Sequence, residues 1–339
     1  MTIRRKISIA LVLPILALGG FLYLYNQTYL TPGTLTSSQT VLVAKGDNAL
    51  VVGEKLSNAG VISGKYFLAY YLWKSGQLHD LVAGVYVFSP GIKIPEVARI
   101  ITGGEIAFTA VPVTFPEGWT AKDMAARLDA NGFSGNEFLS IVNNPSQELK
   151  DKFPFLRGIP RGGTLEGYLF PDTYFFAKDA TSDVIVGKML NNFEEKITDK
   201  MVSDISAQNK NLYDIVTMAS IIEMEAGFVD EMKTVGSVFY NRLKIGQRLQ
   251  SDATLEYVLG DNKVQHTVAE TQNQSPYNTY QFAGLPPGPV SNPGINALSA
   301  AIYPAESDYY YFLTDLKTKK TIFSKTFDEH VANKAKYGL

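Results

Sequence analysis

The 339-residue sequence predicts an α+β protein set behind an N-terminal transmembrane helix. One observation is an uncharged run near the N-terminus that is long enough to cross a bilayer. A second is the series of short strand and helix patterns that follows, most of them ended by glycine or proline. A third is a hydrophobic content of 45%, enough for more than one core. The formal net charge of −2 shows no overall bias towards nucleic acid, which is not expected as a partner. The chain has no cysteine, which removes disulfides, thiolate zinc sites and thiol nucleophiles together.

Residues 1–6 include Arg4, Arg5 and Lys6, and residues 7–25 are free of charge. Those nineteen residues would span roughly 28 Å as a helix, the thickness of a hydrocarbon core. The basic cluster sets residues 1–6 in the cytoplasm and everything after Tyr25 outside. A cleaved signal peptide is the competing reading, with Ala17-Leu18-Gly19 as the peptidase site. The apolar run continues six residues beyond Gly19 and ends in Tyr23 and Tyr25, which suit an interfacial belt, so a retained anchor is expected.

Residues 26–40 are polar with Pro and Gly and read as a linker. Residues 41–104 form a first small unit. It reads as a strand, a Lys45-Gly46-Asp47 turn, a helix stopping at Gly60, a second helix in "FLAYYLWKSG", a strand in "GVYVFSPG", and a helix entered through Pro95 and closed by Gly103. Residues 105–155 read as a second small unit. It has an extended "FTAVPVTFPEG", a helix with Thr120 at its N-cap, and another helix in "SGNEFLSIVNN". Residues 156–339 form the larger domain. Helices are expected over 182–198, over 211–226 closed by Gly227, and over 229–245 closed by Gly246. The stretch 276–294 holds five of the sixteen prolines and reads as a stiff ordered loop. A hairpin in "DYYYFLTDLKTKKTIFS" and a helix from Thr326, with a capping-box pattern completed by Glu329, end the chain.

Inside the 211–226 helix, "ASIIEMEAG" puts two carboxylates one residue apart. At about 100° per residue, Glu223 falls about 20° from Leu212, in the middle of the stripe made by Ile215, Val216 and Ala219. Glu225 falls on the outer face with Asp214 and is expected to be solvated. A carboxylate aimed into an apolar face is costly unless paired or protonated, and desolvation raises its pKa. Glu223 is therefore either one half of a buried ion pair with Arg242 or Lys244, or an acid kept protonated for chemistry.

Downstream, Tyr, Asn, Gln and Asp gather on predicted loops, a lining that suits sugar rings with their C–H faces and hydroxyls. Tyr303 and Tyr309–Tyr311 read as ordinary packing. His79, His266 and His330 lie in no ligand spacing, so no metal site is expected. Nucleotide loops and the G-x-S-x-G elbow do not occur.

These residues carry a resemblance. "ASIIEMEAG", "VFYNRLKIGQRLQSD", "SPYNTY" and "GLPPGPVSNPG", with "VTFPEGWT" and "LEGYLFPDTY" upstream, resemble the motifs of the MltG (YceG-like) family of membrane-anchored endolytic murein transglycosylases, in order and spacing. The resemblance covers nearly the whole chain after the anchor and implies that residues 41–104 are a LysM-like, glycan-binding module. It assigns the catalytic role to Glu223. It implies cleavage of MurNAc–GlcNAc bonds in nascent strands with 1,6-anhydromuramyl ends, which would end strand elongation, without a cofactor. Peptidoglycan strands, the bilayer and peptidoglycan synthases are the partners it implies. Motif position and chemistry together assign substrate binding to Asn241, Gln250 and Asp252, and to Tyr277, Asn278 and Tyr280. The upstream motif adds Glu166 and Asp172. One departure is Ala253 in "SDATLEY", where the family pattern has proline. Two other readings remain: a two-carboxylate muramidase using Glu223 with Glu166, Asp172 or Asp252, and a non-catalytic glycan-binding scaffold.

Overall fold

The computed structural model describes residues 16–104, 110–260, 266–315 and 317–338. The first nine residues of the expected membrane span, 7–15, lie outside them. Residues 16–25 are helical (α1), and among the described residues no helix is long and apolar enough to cross a membrane. The chain divides into two compact units, Met1–Val111 and Pro112–Leu339.

In the first unit, β1 (Gln39–Val43) pairs antiparallel with β2 (Gly84–Phe88), from Gln39 opposite Phe88 to Val43 opposite Gly84. Helices α2 (Ala49–Asn58) and α3 (Lys65–Lys74) lie between the strands in sequence, and α4 (Ile94–Gly103) follows them. Local chemistry sets these ends. Asp47 accepts the Ala44 amide at 2.7 Å and the Lys55 ammonium at 2.6 Å, closing the turn. Asn48 caps α2 through the Leu50 and Val51 amides. The stop after α4 is Gly104 in the left-handed region, one residue beyond the Gly103 expected. Val41, Val52, Leu56, Leu68, Tyr86, Phe88 and Val97 fill one core between sheet and helices. The expected linker is partly laid down on this unit. Asn26–Leu30 form a π-helical turn, the Tyr29 ring meets Tyr71 at 5.6 Å, and the Thr34 amide donates to the Gly60 carbonyl at 2.8 Å.

The second unit takes in residues 112–155, which sequence patterning separates as a unit of their own. β3 (Ala110–Thr114) pairs with β4 (Thr173–Ala177) from the larger domain, which ties them together. α5 (Ala121–Ala130) opens with a full capping box between Thr120 and Asp123. α6 (Gly135–Asn143), α7 (Gln147–Lys152), α8 (Ser182–Lys196) and α9 (Asp199–Ala207) lead to α10 (Leu212–Glu225). α11 (Met232–Lys244), α12 (Asp252–Leu259) and α13 (Ile295–Ile302) pack around α10. The hairpin β5 (Tyr311–Thr314) and β6 (Thr321–Ser324) and the helix α14 (Phe327–Tyr337) close the chain. At α14 Thr326 accepts the Glu329 amide, while the Glu329 carboxylate takes the Lys325 amide rather than that of Thr326.

α10 is a central helix rather than a one-sided one. Every residue from Ile215 to Ile222 is buried, including Thr217 and Ser220, as expected for a helix apolar on all sides. The two buried hydroxyls are satisfied locally and then used for docking. Thr217 donates to the Tyr213 carbonyl and Ser220 to that of Thr217, both at 2.8 Å. Ser220 Oγ also accepts the Val290 amide at 2.9 Å, and Ser291 Oγ donates to the Ser220 carbonyl at 3.0 Å. The proline-rich loop is thereby fixed along α10, bringing its end, Gly294, to Glu223.

Candidate active site

Glu223 stands on the last turn of α10, half-buried, and its Oε2 accepts the Gly294 amide at 2.9 Å. Gly294 is the N-cap of α13, so the carboxyl faces a helix N-terminus. Burial pushes the Glu223 carboxyl up to about 7; the Gly294 amide opposes the rise and the charge of Glu117 adds to it. The ion-pair alternative is not realised. Arg242 donates to the carbonyls of Tyr310 at 2.6 Å and Leu249 at 2.5 Å, and Lys244 is exposed.

Two glycines allow this approach. Gly118 has φ +79, and a Cβ on it would stand 3.1 Å from Met224 Sδ and 3.6 Å from Glu223 Cγ. At Gly294 a Cβ would overlap the Glu117 carboxyl.

Asn292 holds three chain segments in register. Its Oδ1 accepts the amides of Gly167 at 2.8 Å and Leu169 at 3.0 Å. Its Nδ2 donates to the Trp119 carbonyl at 3.0 Å and to Glu166 Oε1 at 2.6 Å. Its own amide donates to Trp119 O, and its carbonyl accepts from Gly118 N, both at 2.9 Å. Glu166 is buried and also accepts the Ala121 amide at 2.9 Å. Burial lifts its carboxyl to about 8, against the two hydrogen bonds it accepts. Glu166 is thus a strut of the loop junction. It also touches the wall of a cleft of about 1050 Å³ bounded by Gly118, Trp119, Arg127, Met224 and Tyr257. The Arg127 guanidinium lies 4.7 Å from the Trp119 ring centre.

The other residues selected from sequence fall in different places. Asn278 is fully buried, and its amide group bonds the carbonyls of Thr271 and Asn273 and the amide of Tyr280. Asn241 donates to the carbonyls of Ser307 and Tyr309. Both shape loops. Tyr280 donates to Asp252 at 2.7 Å, at the start of α12. Gln250 is exposed with φ 51, and the Tyr277 ring packs tilted, at 5.1 Å, against Tyr257, a wall residue of the cleft. Asp172 is exposed and accepts from the Thr173 amide and from Asn192.

Glu225 corrects the helical-face reading. Rather than lying in solvent, it accepts the Ser251 hydroxyl at 2.5 Å and the Ala253 amide at 3.4 Å, and burial raises its pKa. The loop before α12 covers this face of α10, which periodicity within α10 has no means of registering. Residues not selected from sequence include Glu117, Trp119 and Asn292. All three lie in the motifs "VTFPEGWT" and "VSNPG", where Pro and Gly read as turn chemistry and mask the side chains beside them.

The YceG-like family model matches residues 41–336, most of the chain. The chain belongs to the YceG-like family. A relative in Bacillus subtilis, named endolytic murein transglycosylase, is 31% identical over 334 residues, covering 95% of this chain and 91% of that protein. A Streptococcus pneumoniae protein of the same name is 28% identical over 98% of this chain, which spans 64% of the pneumococcal length. A crystal structure of a yceG-like protein from Listeria monocytogenes, 33% identical, matches with a TM-score of 0.61 over 87% of this chain and 99% of that one. What this YceG-like site offers chemically is a half-buried carboxyl, Glu223, poised near neutral pH with a backbone donor fixing its orientation, beside a cleft lined by Trp119, Tyr257 and the buried Glu166.

Proposed function

We propose that the chain is an endolytic murein transglycosylase, cutting MurNAc–GlcNAc bonds of peptidoglycan from within the strand. The observation that carries this is Glu223, its pKa raised by burial to about 7, standing against Gly118 and next to Met224, both of which line a cleft walled also by Trp119 and Tyr257. The family and the relatives' names agree with it. Glu223 gives its proton to the glycosidic oxygen as the C1–O bond breaks towards an oxocarbenium ion. The C6 hydroxyl of the same MurNAc then attacks C1, and the Glu223 carboxylate takes up the released proton. No water is consumed, and the new end is a 1,6-anhydromuramyl residue.

One observation favours a second reading. Glu117, absent from the carboxylates weighed in the sequence, stands close enough to Glu223 to raise its pKa. A second carboxylate could activate water and make the enzyme a muramidase. Digestion of purified glycan strands in oxygen-18 water separates the two. Anhydromuramyl ends one water lighter than hydrolytic ends, without label, are expected; labelled reducing ends would replace the transglycosylase by the hydrolase.

The anchor, the module and the partners belong to the same reading. In α1, Leu16, Leu18, Phe21 and Leu22 are exposed, which suits lipid and continues the uncharged run that begins at residue 7. The order β1–α2–α3–β2 supports a LysM-like, glycan-binding module. The catalytic unit then works outside the membrane, on strands delivered by peptidoglycan synthases. The protein should fractionate with membranes while retaining Met1 or Thr2 at its N-terminus, and cross-linking in that fraction should capture synthases. A mature N-terminus near residue 20 would remove the anchor.

A further inference from the structure

We propose that Glu117 is a positioning residue for the acid, its carboxylate set against the Cα of Gly294 so that it holds the proton on Glu223. The inference deepens the transglycosylase reading and rests on it for its kinetic readout alone.

The turn that carries Glu117 is fixed on both sides. Phe115 donates its amide to the Asp172 carbonyl, and Gly118 donates to that of Asn292, each at 2.9 Å. Gly118 also backs onto Met224 and Glu223. Between these anchors, the Glu117 carboxyl occupies the volume where any side chain on residue 294 would stand. Gly294 in turn gives its amide to Glu223. The two carboxyl groups therefore share one glycine.

Among the described residues, no basic group adds its charge to burial, the Gly294 amide and Glu117 in acting on Glu223. The stretch Val290–Gly294 has no titratable side chain, Glu225 on α10 turns to Ser251, and Arg242 is engaged with two carbonyls. A like charge at short range disfavours ionisation of its neighbour. Burial and Glu117 act on Glu223 in the same direction, and the Gly294 amide acts against them. Glu117 is exposed, and its charge reaches the acid.

The test is the pH profile of kcat/KM on purified glycan strands, for the full-length chain and for Glu117→Gln. Removing the neighbouring charge should lower the pKa of Glu223, moving the alkaline limb to lower pH. At pH 8 the variant should be about threefold to tenfold slower than the parent, one pKa unit being a factor of ten, with near-equal rates at pH 5. An unmoved limb, or the same fractional loss at every pH, would overturn the proposal. Carboxyl carbon-13 NMR of Glu223 in both proteins reads the midpoint without turnover, so it decides the matter even if the cut proves hydrolytic. An unchanged midpoint there overturns it equally. Glu117→Ser supplies the same comparison with a smaller side chain if glutamine strains the turn.

Discussion

Replacing Glu223 with glutamine is expected to slow glycan cleavage by about 10²–10⁴-fold, the usual contribution of a general acid, with thermal unfolding unchanged within a few degrees. The amide keeps the shape of the side chain and an oxygen to accept the Gly294 amide, so the loop that ends at Gly294 stays docked. What is lost is the proton, and with it the group that would take up the C6 hydroxyl proton in the next step. Glu225→Gln is the matched control on the same turn of α10. Its oxygen can still accept from Ser251, so the contact that orders the start of α12 is kept. Activity should stay within about threefold, because the lost charge only affects the start of a helix, where such effects are worth about 0.3–1 kcal/mol. Rates measured on purified strands check both variants. Equal loss in the two, with normal unfolding, would show that Glu223 has no special place.

The contrast between these two glutamates marks what could be read from the sequence. Helix ends were legible where the signal is local, as at Thr120 before α5 and at Gly246 after α11. α9 and α13 were not, because α9 follows α8 with only Ile197 and Thr198 between them and α13 emerges directly from the proline-rich loop. α12 was hidden in a stretch that reads as loop, since its eight residues are too few to establish a period. Glu223 stood out because a carboxylate interrupts an apolar repeat. Glu225 was misplaced because the residues that cover it lie 26 and 28 positions further on. The cleft itself was the least legible part. Its walls come from α5, α10 and α12 and from loops between, and no property of one segment reports what a distant one will bring against it.

Asn292 shows the same limit and yields the largest expected change in stability. Its side chain reaches Gly167, 125 residues away, and Trp119, 173 residues away, so neither partner could be inferred from the "VSNPG" turn. Asn292→Ala would strip the buried amides of Gly167 and Leu169 of their acceptor and Glu166 of one of its two donors. Each buried polar group left without a partner costs about 1–3 kcal/mol, and water entering from the adjoining cleft would recover part of it. A net loss of about 3–5 kcal/mol is therefore expected, lowering the unfolding midpoint by roughly 10 °C for a unit of this size. Activity should fall as well, although Asn292 makes no contact with Glu223. The turn carrying Gly167 is registered against Gly294 through this side chain, the turn carrying Gly118 through it and two backbone hydrogen bonds, and Glu223 is oriented by Gly294. Thermal unfolding and strand cleavage measured on one preparation test the link. A variant that unfolds at the parent temperature would mean that the Asn292 side-chain hydrogen bonds do not hold the junction together, and the orientation of Glu223 would then have to rest on the Ser220 contacts and the backbone bonds of Asn292 to Gly118 and Trp119.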